Sequence, residues 1–225
     1  MSKQAAPLAL DPGVVRALQP TGPNAKADPA LTTLEGAFAA AHGSLDAVAR
    51  LHGALADDPT LTPAAKGVRL GQAALKAGEA VAQRLDDGDR RLREVIATTE
   101  AETLPSPPAD PGLASEIRGA LRTMKRADRQ KVIADAVAAG DAATIGAALT
   151  GPAMLVGMSA DERKMLATDW RRHHAPEALD RLDRLAKAAE AVSRAGKASL
   201  GFVGPLRSIP LPCWPRGRRR QPRKL

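Results

Sequence analysis

His173 and His174 stand side by side, four and five residues after Asp169, and this trio is the nearest approach in the 225-residue chain to a metal-binding or acid-base cluster. Neither the spacing nor the ligand types fit a zinc motif, and histidines in the last turn of a helix are favoured by the macrodipole without any ligand. The run Asp86-Asp87-Gly88-Asp89-Arg90-Arg91 has the acidity of a calcium loop but lacks its alternating positions and its distal glutamate. Asp86/Arg90, Asp87/Arg91 and Asp89/Arg93 are acid-to-base pairs at i,i+4 instead, which is the pattern of a solvated helix face. No glycine-rich loop follows a strand, no serine sits on a nucleophile elbow, and the single cysteine, Cys213, lies in a proline-rich tail that offers no base. One cysteine also excludes an intrachain disulfide and fits a reducing compartment. These observations predict no catalytic residue, no metal site and no cofactor.

Apolar residues make up 44% of the chain, yet alanine supplies about a fifth of all residues, with two Phe, two Trp and no Tyr. Alanine is the best helix former, so the composition biases the backbone to helix and builds any core from small pieces. The chain carries 33 basic and 25 acidic residues, a net charge of +8. From Gly201 onward there are seven basic residues, Arg207, Arg216, Arg218, Arg219, Arg220, Arg223 and Lys224, and no acid; the other 200 residues hold 26 basic against 25 acidic. The basicity therefore belongs to the C-terminal end, where Arg216, Arg218, Arg219, Arg220, Arg223 and Lys224 are candidates for non-specific phosphate contact.

Residues 1–27 carry Pro7, Pro12, Pro20 and Pro23, which predicts a disordered arm. Asp28-Pro29 supplies an N-cap and a proline at the first helical position, so a helix is expected from there. Leu31, Leu34, Phe38, Ala41, Leu45, Val48, His52 and Leu55 fall at steps of three and four and form a heptad seam, with His52 its polar member. Thr62-Pro63 repeats the cap signal, and Gly71, Ala74, Gly78, Val81, Leu85, Gly88, Leu92, Val95 and Thr99 mark the seam of a second helix running to about Glu102. The short connection between them predicts an antiparallel helical hairpin over 28–104. Seam glycines cost a helix about 1 kcal/mol each relative to alanine and so predict close approach of a neighbouring backbone.

Four prolines between Pro105 and Pro111 predict an extended linker over 105–112. Beyond it, helices are expected over Leu113–Met124, from Asp128 to Ala139 with Gly140 closing it, from Asp141, from Ser159 to about His173 behind a Ser159/Glu162 capping box, and from Pro176 to about Ala195. A helix–Gly140–helix unit could suggest a DNA reader, but Thr144 is the one polar side chain on its second helix, too little for base readout. The 19 uncharged residues Ala142–Ala160 are interrupted by Gly146, Gly151, Pro152 and Gly157 and do not read as a membrane span.

Ser115-Glu116-Ile117-Arg118, Ala139-Gly140-Asp141, the stretch from Leu149 to Ser159 and His174-Ala175-Pro176 together resemble a recurrent helical region of small prophage-encoded proteins of proteobacteria. The resemblance covers about residues 110–198 and implies a phage setting, in which elongated helical proteins serve in particle assembly or inside particles.

The expectation is thus an all-α chain: a disordered arm (1–27), an antiparallel hairpin (28–104), a Pro-rich linker (105–112), a small helical domain (113–198) and a basic disordered tail (199–225). The expected role is protein–protein interaction, as a minor virion or assembly factor in the bacterial cytoplasm or the virion. Leu31, Leu34, Phe38, Leu45, Val48, His52, Leu55, Val81, Leu85, Leu92 and Val95 would meet a partner helix or a second copy. The alternative is non-specific nucleic-acid binding through the tail. No membrane partner is expected.

Overall fold

The computed structural model describes residues 5–23 and 25–207. Among them are eight α-helices and no strand: α1 (Pro12–Arg16), α2 (Pro29–Asp57), α3 (Pro63–Glu102), α4 (Pro111–Thr123), α5 (Arg126–Ala139), α6 (Ala142–Leu149), α7 (Ala160–His174) and α8 (Pro176–Arg207). The all-α expectation holds. The chain divides into two compact units, one containing residues up to Arg91 and from Ala188 onward, the other Leu92–Lys187. Both α3 and α8 contribute to each unit.

Most helices begin where local chemistry says they should. Asp28 accepts from the Ala30 backbone N–H at 2.9 Å, Asp110 from Gly112 at 2.8 Å and Asp141 from Thr144 at 3.0 Å, each satisfying a donor that the first helical turn leaves unpaired. The capping box at α7 is complete, with Glu162 N–H donating to Ser159 Oγ at 3.1 Å and Ser159 N–H to Glu162 Oε2 at 2.8 Å. Hydrogen bonds to Ser159 and the nearby Arg126 guanidinium hold the Glu162 carboxyl below its ordinary range. Gly140 ends α5 in the left-handed conformation at φ 72°, where a side chain would be strained. The start of α5 falls at Arg126 rather than behind Asp128, and its N-cap Lys125 makes no side-chain bond; Asp128 lies in the first turn, where its charge meets the helix dipole.

In the first unit, α2 and α3 run antiparallel: a Cβ on Gly88 would stand 3.0 Å from Leu34 Cδ1, Arg84 Nη1 lies 3.5 Å from Ser44 Oγ, and Lys66 Nζ donates to the Ala56 carbonyl at 3.1 Å. The end of α8 supplies a third antiparallel helix. A Cβ on Gly78 would meet Val203 Cγ1 at 3.1 Å, and one on Gly71 the Leu206 carbonyl oxygen at 3.7 Å. The seam glycines therefore admit a neighbour closely, as expected, but the neighbour at Gly71 and Gly78 is α8.

Two expectations need correction here. The last helix does not stop near Ala195: it continues through Pro205 to Arg207, so residues 199–207 are not part of a disordered tail. Phe202, Val203 and Leu206 are buried, and burying such side chains at about 1.5–3 kcal/mol each offsets the two glycines and the proline that weaken this stretch as a helix. Nor are residues 5–23 a free arm. Asp11 accepts from Gly13 N–H at 2.7 Å ahead of Pro12, starting α1 by the same cap-and-proline device as α2, and Leu10 and Val15 are fully buried. Gln19 then clasps the start of α2: its Oε1 accepts from Asp28 N–H at 2.8 Å while its Nε2 donates to Thr32 Oγ1 at 3.2 Å. Arg16 pairs with Glu35 beside it.

The second unit packs α4–α7 around Leu121, Ile133, Val137, Ile145, Val156, Leu166 and Trp170. The Pro-rich segment belongs to this unit: a Cβ on Gly146 would lie 2.2 Å from the Ser106 carbonyl oxygen, so the segment's backbone rests directly on α6. Residues 105–112 therefore do not separate the two units, which divide within α3 and α8 instead.

Candidate functional site

His173, His174 and Asp169 make hydrogen bonds and an ion pair within the second unit. His174 Nε2 donates to the Val137 carbonyl at 2.8 Å near the C-terminus of α5, and its ring lies 4.1 Å, centroid to centroid, from that of Trp170. His173 Nδ1 donates to the Asp169 carbonyl one turn back at 2.9 Å. Asp169 itself pairs with Arg172. Among the described residues no group of three His, Cys, Asp or Glu side chains is placed to hold a metal. Asp87 pairs with Arg90 at 2.7 Å on an exposed face of α3, as the i,i+3 and i,i+4 spacing of opposite charges allows.

The seam residues are brought together, but by the chain's own helices. Leu31, Leu34, Phe38, Leu45, Val48 and Leu55 of α2, and Val81, Leu85 and Leu92 of α3, are buried; His52 and Val95 are half-buried. Most of their apolar surface is covered within the chain, while Val81 and Leu85 also line an open groove. Of the proposed nucleic-acid contacts, Arg216, Arg218, Arg219, Arg220, Arg223 and Lys224 lie outside the described residues.

In the first unit an apolar groove of about 280 Å³ stays open between α3 and the end of α8, lined by Leu75, Val81, Leu85, Leu200 and Val203. Two further open surfaces lie in the second unit. One is the turn between α6 and α7, bent by left-handed glycines at Gly151 (φ 77°) and Gly157 (φ 71°), which leaves Met154 77% and Leu155 42% exposed. The other is a groove of about 560 Å³ between α5 and α7, floored by Ile133, Val137, Met158 and Leu166, with Met165 on its rim and Arg129 at its wall. Arg126 and Glu162, joined at 2.9 Å, lie along its edge.

Sequence reasoning passed over Arg129 and the groove. An arginine in the first turn of a polar helix gives no local sign of burial. The one available hint was Met154, Met158 and Met165 in close succession, since flexible methionines often line adaptable surfaces. Among the described residues no helix is long and apolar enough to cross a membrane. Compared with known proteins, the chain matches no family model, no curated relative and no solved structure.

Proposed function

We propose that this chain is a non-enzymatic helical interaction protein of phage origin, a minor virion component or particle-assembly factor, which contacts its protein partner through the Met154–Leu155 turn. The observation that supports this reading is the pair of adjacent, exposed apolar side chains held out between Gly151 and Gly157 on a turn anchored by the buried Val156. Adjacent exposed hydrophobes suit insertion into a partner, because removing them from water favours association. The phage setting rests on the resemblance of residues 110–198. Mass spectrometry of purified particles and of assembly intermediates tests it: the chain should be present at fixed copy number, and Met154→Ser/Leu155→Ser should abolish incorporation while leaving the circular dichroism spectrum unchanged. Absence of the wild-type chain from both preparations overturns the reading.

A second reading is favoured by the separation of charge along the chain, with seven basic residues and no acid from Gly201 onward. In it the C-terminal basic residues bind nucleic acid without regard to sequence. Salt-dependent retention on random duplex, present in the full chain and absent after removal of residues 208–225, distinguishes it from the first.

A further inference from the structure

Arg129 is only 8% exposed, yet it has no ion pair among the described residues, and its one hydrogen bond is a long contact of 3.4 Å from Nη1 to the Met124 carbonyl. A guanidinium carries five N–H donors and keeps its charge, so a position this buried with most donors unpaired is costly unless something else satisfies them. The only sealed side-chain nitrogen without a partner among the described residues is Arg184 Nε, so the spare Arg129 donors keep some exposure, and Arg129 lines the groove between α5 and α7.

The acids of that groove are already engaged. Glu162 is held by Arg126 at 2.9 Å and by the Ser159 N–H at 2.8 Å, and Asp169 by Arg172. Arg129 is the excess charge, and it stands over a floor of Ile133, Val137, Met158 and Leu166. A cavity of about 560 Å³ lined by apolar side chains, with one charged group that has no ion pair among the described residues, has the form of a small-molecule site.

We propose that the groove between α5 and α7 binds an amphiphilic carboxylate, an alkyl chain lying on the apolar floor with its carboxylate docked on the Arg129 guanidinium. A carboxylate is the fitting head group because it accepts two parallel N–H bonds from the planar fork and supplies the negative charge that the neighbouring acids spend on Arg126 and Arg172. The methionine side chains at Met158 and Met165 adapt to a chain without a fixed shape. The site is separate from the Met154–Leu155 turn, and it stands or fails without the partner reading.

Decanoate, octanoate and decanol, all kept below micelle formation, are the probes, titrated into full-length protein labelled at the methionine methyls and followed by NMR and calorimetry. Saturable shifts are expected at Met158 and Met165 and not at the exposed Met154. Octanoate should bind about fourfold more weakly for each methylene lost, as follows from the burial of an alkyl chain. Arg129→Met should weaken decanoate about 10- to 100-fold, the usual worth of a charge-assisted hydrogen bond, and leave decanol unchanged. Met165→Glu, placed on a side chain 66% exposed and therefore harmless to the core, should weaken both probes, and it decides the matter if Arg129→Met fails to fold. Shifts that do not saturate, equal shifts at Met154, equal affinity of the wild type for decanol and decanoate, or unchanged decanoate affinity in the folded variants would each overturn the proposal.

Discussion

Arg171 on α7 donates from Nη2 to the backbone carbonyl of Glu100 at 2.9 Å, two residues before α3 ends, while its Nε donates to Thr103 Oγ1 at 2.8 Å. A buried guanidinium thus caps the C-terminus of a 40-residue helix, where unpaired carbonyls concentrate partial negative charge. Burial lowers the Arg171 pKa and the Glu100 charge opposes that shift, but an arginine stays protonated at every pH at which the protein is folded. Arg181 Nη1 reaches Thr99 Oγ1 at 3.3 Å, so a second arginine bonds to the final turns of α3.

Arg171→Met should therefore destabilise the second unit by about 1.5–3 kcal/mol, the range for hydrogen bonds to a charged group. Urea denaturation with a double-mutant cycle against Thr103→Val checks it. The two substitutions should be non-additive, because they remove ends of one bond. Additive effects would show that Arg171 acts by packing alone.

Gly146→Ala and Gly119→Ala should have opposite signs. A Cβ at position 146 would lie 2.2 Å from the Ser106 carbonyl oxygen and 2.9 Å from Pro107 N, backbone atoms that cannot swing aside, so a loss of about 1–3 kcal/mol or more is expected. At Gly119, within α4, nothing stands within 4 Å, and alanine should gain up to about 1 kcal/mol of helix propensity. Thermal unfolding of the two variants compares them directly.

Ser159→Ala should cost about 1 kcal/mol by removing half of the capping box. The other half gives a pH dependence. Glu162 has a folded pKa below its ordinary 4.5, so its contribution is fully present above that value and is lost as pH falls through the lower folded value. Asp141, held low first by the Thr144 side chain and then by its backbone N–H, behaves likewise below its ordinary 3.8. Glu162→Gln should flatten the acid limb of a stability-against-pH curve and leave the neutral-to-alkaline limb parallel to that of the wild type.

Two truncations distinguish the end of α8 from the basic residues that follow. Removing residues 208–225 should leave helicity and stability unchanged, and any binding to duplex that it abolishes should have a log–log salt slope no steeper than about −5, at roughly 0.9 for each of six basic groups. Removing residues 201–225 also deletes Phe202, Val203 and Leu206 from the core of the first unit and should lower its denaturation midpoint markedly. Equal stability of the two truncated proteins would mean that α8 contributes nothing beyond Leu200.

The sequence by itself determined where most of the helices begin and which stripes α2 and α3 bury. Asp28-Pro29, Thr62-Pro63, Asp141 and the Ser159/Glu162 box act within one turn, and the seams from Leu31 to Leu55 and from Val81 to Leu92 repeat every three or four residues, so both signals are complete inside a short window. The same cap-and-proline signal stands at Asp11-Pro12, among prolines that locally point to an extended chain. What only the tertiary structure decided depends on which distant faces meet. Phe202, Val203 and Leu206 continue a helix through Gly204 and Pro205 because α3 offers close approach at Gly71 and Gly78, a gain invisible to local propensity. The seam residues are buried mostly within the chain, where α1 packs on α2 and α8 returns to the α3 face at Gly71 and Gly78. Arg171 and Arg129 are both charged residues that α7 and α5 carry into buried positions, and nothing in their neighbours distinguishes them from solvated arginines. One found a helix end to cap and the other an open groove, because the partners that decide the role of a buried charge are set by packing between helices rather than by position along one.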